Sequence, residues 1–212
     1  MKNGFMLVVD GGNGAGKTTV IKKLMDHIEL KGIEVIVTRE PGGTPISEKI
    51  RELILDPDTP EMCDKTELLL FAAARAQHLH EKILPALEQG KVVVSDRFDT
   101  ATISFQHYAR DIDIDLITKI NGSAVGDFKP AMNLILDIDP ELGLQRVHQR
   151  GEKLDRLEKE KLTFLEKARV GYLKQAEEEP SRFRIIDASQ SKEVVEQEAI
   201  KVVDALLSEY DS

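Results

Sequence analysis

A glycine-rich stretch near the N-terminus, "FMLVVDGGNGAGKTTV", carries the clearest chemistry in the chain. It contains Gly11-x4-Gly16-Lys17-Thr18 directly after an apolar run and directly before a helical pattern, which is the context of a phosphate-binding loop. In such a loop the backbone amides turn toward β-phosphate oxygens, Lys17 reaches the β- and γ-phosphates, and the Thr18 hydroxyl can bind Mg²⁺. The pattern therefore predicts a nucleoside triphosphate bound along the loop. The predicted contacts are Gly11, Gly12, Asn13, Gly14, Ala15, Gly16, Lys17, Thr18 and Thr19.

The phosphate-binding loop does not by itself choose between GTPases, large ATPases and kinases. A GTPase should carry an Asn-Lys-x-Asp motif that reads guanine, and the sequence has none. A large ATPase is usually longer than 212 residues. The short chain and its several arginine-bearing segments favour a kinase that acts on a small molecule.

An Asp-Arg pair follows the apolar run at residues 91–95. Asp96 and Arg97 are therefore expected at the carboxyl end of a strand, where ligands bind in open α/β sheets. Asp96 could hold the Mg²⁺ shell or a bound water, and Arg97 could grip an acceptor phosphate and neutralise charge in the transition state. The alternative is an ion pair on the surface.

The segment "TREPGGTP", residues 38–45, has the composition of a rigid turn at the end of a strand. Glu40 and Pro41 lie within it, and Arg51 follows about two helical turns later. Such a loop could form one wall of a binding pocket, although an ordinary turn explains these residues equally well.

Phe71 and Arg75 are four residues apart on a predicted helix and so share one face. An aromatic ring beside a guanidinium suits a planar base, because Phe71 could stack on it and Arg75 could donate to a base carbonyl. The alternative is that Phe71 belongs to the core and Arg75 is solvated.

Short apolar runs alternate with helical patterns along the chain, which predicts an α/β fold with a parallel sheet and helices on both faces. The predicted strands are residues 5–9, 33–37, 92–95, 133–137 and 184–187. The predicted helices are residues 17–31, 46–55, 64–88 and 191–209, with Pro85 kinking or shortening the third. We expect a single domain over residues 1–212, in which the highly charged segment at about 145–160 forms a surface lid.

The composition limits the possible partners and compartment. A net charge of −9 argues against sequence-independent nucleic-acid binding. No run approaches the ~20 apolar residues of a membrane span, and the N-terminus lacks the pattern of an export signal. A lone cysteine, Cys63, cannot form an internal disulfide, which fits a cytoplasmic protein.

The chain resembles the bacterial thymidylate kinases. The phosphate-binding loop, "TREPGG", "LLLFAAARAQH" and "SDRF" occur in the order and approximate spacing of that family, and the similarity continues through "LDRLE", "GYL" and "IIDASQS". The resemblance implies the P-loop kinase fold with a five-stranded parallel sheet, a homodimer, ATP with Mg²⁺ as donor, and dTMP as acceptor.

The resemblance also implies roles for individual residues. Phe71 takes the position of the family's thymine-stacking aromatic ring and Arg75 that of its base-reading arginine, whereas Phe105 replaces a tyrosine that packs against the 2′ carbon of the sugar. Asn13 stands where the family usually has an acidic residue that contacts the 3′-hydroxyl. The implied acceptor site consists of Asn13, Glu40, Pro41, Arg51, Phe71, Arg75, Arg97, Thr102, Phe105 and Gln106.

Some members of that family carry a catalytic arginine in the phosphate-binding loop, at the position that Gly14 occupies here. The resemblance implies that lid arginines supply this charge instead, and that the lid binds ATP through Arg146, Arg150 and Arg156. The alternative is that these arginines only solvate a charged helix. The implied catalytic set is Lys17, Asp96, Arg97 and Arg150.

Two other functions stay open at this point. The departures at Asn13, Ala101 and Phe105 lie around the acceptor, so the chain could be a related nucleoside-monophosphate kinase with altered acceptor specificity. It could also be a nucleotide-binding protein of the same fold without turnover.

Overall fold

The computed structural model describes residues 4–149 and 155–211. Within them the strands are β1 Met6–Gly11, β2 Val35–Arg39, β3 Val92–Asp96, β4 Met132–Asp137 and β5 Phe183–Asp187. The α-helices are α1 Lys17–Leu30, α2 Pro45–Leu55, α3 Asp64–His78, α4 Leu84–Glu88, α5 Asp99–Thr102, α6 Ile114–Val125, α7 Pro140–Gln149, α8 Leu162–Glu178 and α9 Lys192–Asp211. Two π-helices, Leu79–Ile83 and Ile103–Ala109, complete the description.

The strands form one parallel sheet in the order β2-β3-β1-β4-β5, which confirms the predicted fold class. After β1 the chain forms β2 and β3 on one side of β1, and after β3 it crosses over to form β4 and β5 on the other side. Ligands bind in such sheets at the carboxyl ends of the strands beside this reversal. Val9 of β1 lies opposite Asp96 of β3, and Gly11 lies opposite Leu136 of β4. The ends of the three strands therefore meet at one edge.

The central strands β1, β3 and β4 are covered on both faces, which explains why they are continuous apolar runs rather than alternating ones. On one face, Leu7 and Val9 pack with Leu24 of α1 and Val203 of α9. On the other face, Met6 and Val8 pack with Val93 of β3 and with residues that follow α3 and β3: Leu79, Ile83, Ala86 and Phe98. The central strand is thus held rigidly where it delivers the phosphate-binding loop.

The third predicted helix, residues 64–88, is interrupted in the structure. Helix α3 ends at His78 and is followed by the π-helix Leu79–Ile83 and the short helix α4. Pro85 lies in the first turn of α4, where its missing N–H does least harm. Pro85 was predicted to kink or shorten this helix, but the α-helix ends earlier, at His78.

A buried residue of α1 provides a test of this core. Replacing Leu24, which is fully buried, in Leu24→Ala should lower the free energy of unfolding by about 2–5 kcal/mol, because the substitution leaves a cavity. The control is Leu30→Ala on the same helix, where the side chain is 86% exposed. Urea denaturation followed by circular dichroism measures both variants, and equal losses would contradict the assigned core.

Candidate active site

A cleft with a cavity volume of about 230 Å³ opens at the carboxyl edge of the sheet. The phosphate-binding loop lines one part of it, and α2, α3 and the second π-helix line the rest. Every residue of the predicted acceptor site lies on its wall: Asn13, Glu40, Pro41, Arg51, Phe71, Arg75, Arg97, Thr102, Phe105 and Gln106. The structure therefore brings the two halves of the predicted site to one cavity, while the role of each residue stays a prediction.

The phosphate-binding loop packs closely against α7. Gly14 has a φ of +77°, and a Cβ built on it would lie 2.2 Å from the carbonyl oxygen of Gly143. This contact excludes any side chain at position 14, including an arginine. Arg146, three residues after Gly143, instead places its Nη1 3.5 Å from the carbonyl oxygen of Gly14 and 3.0 Å from that of Ala188. One of the predicted ATP-binding arginines thus lies against the loop itself.

A buried carboxylate organises the other side of the loop. Asp10, at the end of β1, is fully buried, and its Oδ1 accepts hydrogen bonds from Arg97 Nη1 at 3.0 Å and from the Tyr172 hydroxyl at 2.7 Å. Its Oδ2 accepts from the Thr100 hydroxyl at 2.9 Å. Arg97 also donates through Nη2 to Oδ1 of Asn13 at 2.9 Å. Asn13 therefore uses its carbonyl oxygen on Arg97, which leaves its amide nitrogen as the group for other contacts.

Tyr172 is a member of this cluster that the sequence did not identify as functional. It lies 162 residues after Asp10, and only the family-like "GYL" marked its position. Burial and the neighbouring Asp10 carboxylate raise the pKa of Tyr172 well above its ordinary value. The phenol consequently stays protonated and donates to Asp10, while its oxygen accepts from Arg97 at 2.8 Å.

Arg97 has an unusual backbone conformation, with a φ of +71°. Its amide donates to the carbonyl oxygen of Val9 at 3.0 Å, and the hydroxyl of Ser95 donates to its carbonyl oxygen at 2.8 Å. A non-glycine residue in this region is uncommon and is retained where its surroundings fix it. These bonds turn the chain sharply after β3 and aim the Arg97 guanidinium across the cleft toward the phosphate-binding loop.

Arg75 is not the solvated residue of the alternative reading, because it is almost fully buried. Its Nε donates to Glu40 at 2.8 Å, and its Nη1 donates to Asn121 at 2.8 Å. Its Nη2 donates to the Phe98 carbonyl at 3.1 Å and to the Thr102 hydroxyl at 2.8 Å. A guanidinium has five N–H groups, so one N–H on Nη1 remains without a partner among the described residues.

Glu40 lines the cleft, but its carboxylate binds Arg75 and His78. One carboxylate oxygen binds Arg75, and the other lies 2.9 Å from Nδ1 of His78. Nε2 of His78 in turn lies 2.7 Å from the Thr38 hydroxyl. Both oxygens of Glu40 are engaged, so its predicted contact with the acceptor stays a prediction, and its observed contacts fix the position of Arg75.

Arg51 and Pro41, two further residues of the predicted acceptor site, contact each other at the cleft wall. Arg51 donates from Nη1 to the carbonyl oxygen of Pro41 at 2.8 Å. Burial and the neighbouring Arg39 lower the pKa of Arg51, although an arginine remains charged at neutral pH. The guanidinium of Arg51 is thus held at the cavity wall as a fixed positive charge.

The second π-helix carries the residues predicted to face the sugar and base. Phe105 lies on the cleft wall with its ring centroid 5.2 Å from the guanidinium carbon of Arg97. Gln106 donates from Nε2 to Glu67 of α3 at 2.8 Å. Single-turn π-helices are frequent at functional sites. None of the helices predicted from the sequence includes this segment.

The predicted lid arginines have different positions. Arg146 lies on α7 beside the phosphate-binding loop, whereas Arg156 donates from Nε to the Ile54 carbonyl at 2.8 Å and pairs with Glu67. Asp155, Leu157 and Glu158 of the same segment line the cleft. ATP binding by Arg156 stays a prediction, since its observed contacts are with α2 and α3. Arg150 lies outside the described residues.

The donors for a metal ion are sparse. Thr18 and Asp96 both line the cleft, and a hydroxyl and a carboxylate are hard ligands that suit Mg²⁺. The described residues contain no cluster of three or more His, Cys, Asp or Glu side chains that could hold a metal alone. Mg²⁺ commonly binds through one or two protein oxygens together with substrate phosphates, and the two residues fit that arrangement.

Comparisons with known proteins agree with this geometry. The family model for thymidylate kinase matches residues 9–199. A thymidylate kinase from Oceanobacillus iheyensis is 45% identical over 207 residues, which cover 97% of this chain and 92% of the relative. One from Bacillus licheniformis is 44% identical over 208 residues, which cover 98% of each. The crystal structure of thymidylate kinase from Ehrlichia chaffeensis matches with a TM-score of 0.76 at 31% identity, covering 95% of this chain and 99% of that one.

The buried cluster around Asp10 can be tested through Tyr172. Tyr172→Phe removes a donor to a buried carboxylate, so the free energy of unfolding should fall by about 1–3 kcal/mol. The control is Tyr108→Phe, because the Tyr108 side chain makes contacts with rings but has no hydrogen bond from its hydroxyl among the described residues. Thermal unfolding of the two variants gives the comparison, and an unaffected Tyr172→Phe variant would remove Tyr172 from the network.

Proposed function

Because this chain belongs to the thymidylate kinase family, we propose that it transfers the γ-phosphoryl group of ATP to dTMP, giving dTDP and ADP for deoxynucleotide synthesis. The observation that carries the proposal is the single cleft, which holds the phosphate-binding loop and every predicted acceptor residue. A phosphoryl transfer between two bound nucleotides requires both in one cavity with the reacting oxygens in line.

The donor binds along the phosphate-binding loop. Lys17 Nζ lies 3.0 Å from the Gly12 carbonyl oxygen, at the start of α1, where backbone amides and the positive end of the helix attract phosphate. Arg146 adds a charge against Gly14. In the transition state the charge spreads over the oxygens of the transferred group, and these cations stabilise it.

Thr18 and Asp96 would hold Mg²⁺, an assignment supported by their shared position on the cleft wall. The ion would supply positive charge that stabilises the negative charge developing on the transferred group. The carbonyl oxygen of Asp96 also accepts a hydrogen bond from the Glu40 amide at 2.9 Å, which joins the end of β3 to the residue that follows β2.

The acceptor base lies between Phe71 and the buried end of Arg75. Phe71 stacks on the ring, and the remaining N–H of Arg75 donates to a base carbonyl. This role is supported by the four fixed hydrogen bonds of the guanidinium, since a donor that cannot rotate discriminates more sharply than a mobile one. Thr102 completes the contact by holding Nη2.

Arg97 and Arg51 bind the acceptor phosphate, and the amide of Asn13 contacts the sugar. Arg97 is already bound to Asp10 and Asn13, so it presents a positioned charge to the phosphate. Asn13 fills the family's acidic position with a neutral amide whose oxygen is taken by Arg97. Phe105 packs against the 2′ carbon of the sugar and excludes ribose by bulk.

The assembly and location follow the family as further proposals. The chain acts as one P-loop kinase domain with residues 145–160 as its lid, forms a homodimer, and works in the cytoplasm. No helix among the described residues has the length and apolar character needed to cross a membrane. Light scattering after size-exclusion chromatography measures the dimer, and a monomer at micromolar concentration would contradict it.

The decisive experiment is ADP release with ATP and Mg²⁺ across dTMP, dUMP, UMP, dCMP and dGMP. The ratio of kcat/KM values reports differential binding of the transition states, and we expect dTMP to give the highest value. A preference for another monophosphate would support the alternative acceptor specificity. Binding of ATP without release for any acceptor would support a protein that has lost turnover.

Removal of Lys17 tests the donor site. Lys17→Ala should lower kcat by at least about 100-fold, because a preorganised charge on the transferred group is lost. Lys22→Ala is the control, since this lysine lies on the same helix and its side chain is 72% exposed. A coupled assay for ADP measures both variants, and a Lys17→Ala variant with normal kcat would exclude Lys17 from the chemistry.

A further inference from the structure

Gln106 carries a buried polar atom that no contact satisfies. The residue is 1% exposed and lines the cleft. Its Nε2 donates to Oε1 of Glu67 at 2.8 Å, whereas its Oε1 has no hydrogen-bond partner among the described residues. Buried acceptors are rarely left unpaired in folded proteins. The unpaired oxygen therefore indicates a donor that arrives with a ligand.

Glu67 determines which end of the Gln106 amide is paired and which is left without a partner among the described residues. It is 1% exposed, and its carboxylate accepts from Arg110 Nε at 2.7 Å and pairs with Arg156. Burial alone would raise the pKa of Glu67, but the hydrogen bonds from Arg110 and Arg156 hold it below its ordinary value. An ionised carboxylate can only accept. Gln106 must therefore turn its nitrogen to Glu67, which leaves its oxygen as the unpaired end of the amide.

The resulting pair of groups matches one class of base. Arg75 offers a fixed donor, and Gln106 offers a fixed acceptor four residues after the Thr102 that holds Arg75. Thymine and uracil present a carbonyl next to an imide N–H, which complements this donor and acceptor. Cytosine presents an amino group next to an unprotonated ring nitrogen, so it has a donor where thymine has an acceptor and an acceptor where thymine has a donor.

We propose that Glu67 is a positioning residue that sets base specificity, because it fixes Gln106 to accept from an imide N–H and so selects thymine or uracil monophosphates over cytosine monophosphates. This inference rests on the proposed function. Glu67, Phe71 and Arg75 are spaced by four residues along α3, so one face of that helix carries the orienting, stacking and reading groups together.

Glu67 also joins the base site to the segment that contains Arg156. Arg110 binds Glu67 and, through Nη2, Oε1 of Glu160 at 2.8 Å. Substitution of Glu67 therefore disturbs two things, the Gln106 amide and the anchoring of residues 155–160. The experiment has to separate them.

The test compares Glu67→Met with Glu160→Met. Methionine keeps a similar length and removes the acceptor oxygens, and Glu160 belongs to the same ion-pair network without touching Gln106. In Glu67→Met the ratio of kcat/KM for dTMP over dCMP should fall roughly tenfold, because the freed amide can present either end. The kcat/KM for dTMP should fall, whereas the kcat/KM for dCMP should stay unchanged or rise. Glu160→Met should keep the wild-type ratio.

A double-mutant cycle with Gln106→Ala distinguishes a positioning role of Glu67 from a general structural role. Glu67→Met should not change the dTMP-to-dCMP ratio further in the Gln106→Ala background, since interacting residues are not additive. Equal losses for dTMP and dCMP, or the same change of ratio in both backgrounds, would overturn the inference. Glu67→Gln is measured in parallel, so that a folded variant is available if the methionine variant unfolds below the assay temperature.

The wild-type enzyme separates failure of this inference from failure of the proposed function. Absence of ADP release with dTMP would reject the function. Release with dTMP and dCMP at equal kcat/KM would leave a kinase but reject the selection by Gln106. Release that favours dTMP, with an unchanged ratio in both Glu67 variants, would reject the role of Glu67 alone.

Discussion

The Asp10 carboxylate is the constraint on which the site depends. It ends the central strand in a fully buried position, where a charge without partners would be strongly destabilising. Its partners come from distant parts of the chain: Arg97 after β3, Thr100 of α5 and Tyr172 of α8. Satisfying one buried charge thus brings the phosphate-binding loop, Arg97 and helix α8 together. The contacts that bury the end of the central strand are therefore also contacts that shape the cleft.

Arg75 and Glu67 repeat this logic on α3. Each is a buried charge surrounded by hydrogen bonds, and two groups of this network have no partner among the described residues: one N–H of Arg75 and the carbonyl oxygen of Gln106. Breaking such a network by removing one member leaves the other charges buried without partners. A substitution of Arg75 or Glu67 is therefore expected to lower the stability of the fold around it as well as to change the cleft wall.

Each predicted strand lies within two residues of the observed one at either end. The three central strands were predicted well because strands buried on both faces have a distinctive apolar composition. The phosphate-binding loop could also be predicted, because its residues are adjacent in sequence. The partners Tyr172, Asn121 and Glu67 were not predicted as site residues. Their contacts with Asp10, Arg75 and Gln106 join elements far apart in the chain, and no local spacing encodes them.

The contact between the phosphate-binding loop and α7 restricts how this protein can evolve. A Cβ at Gly14 would meet the Gly143 carbonyl oxygen at 2.2 Å, and one at Gly143 would meet the Asn13 carbonyl oxygen at 2.4 Å. Neither glycine can gain a side chain unless the phosphate-binding loop and α7 move apart. A substitution at either position therefore depends on a compensating change in the element that faces it.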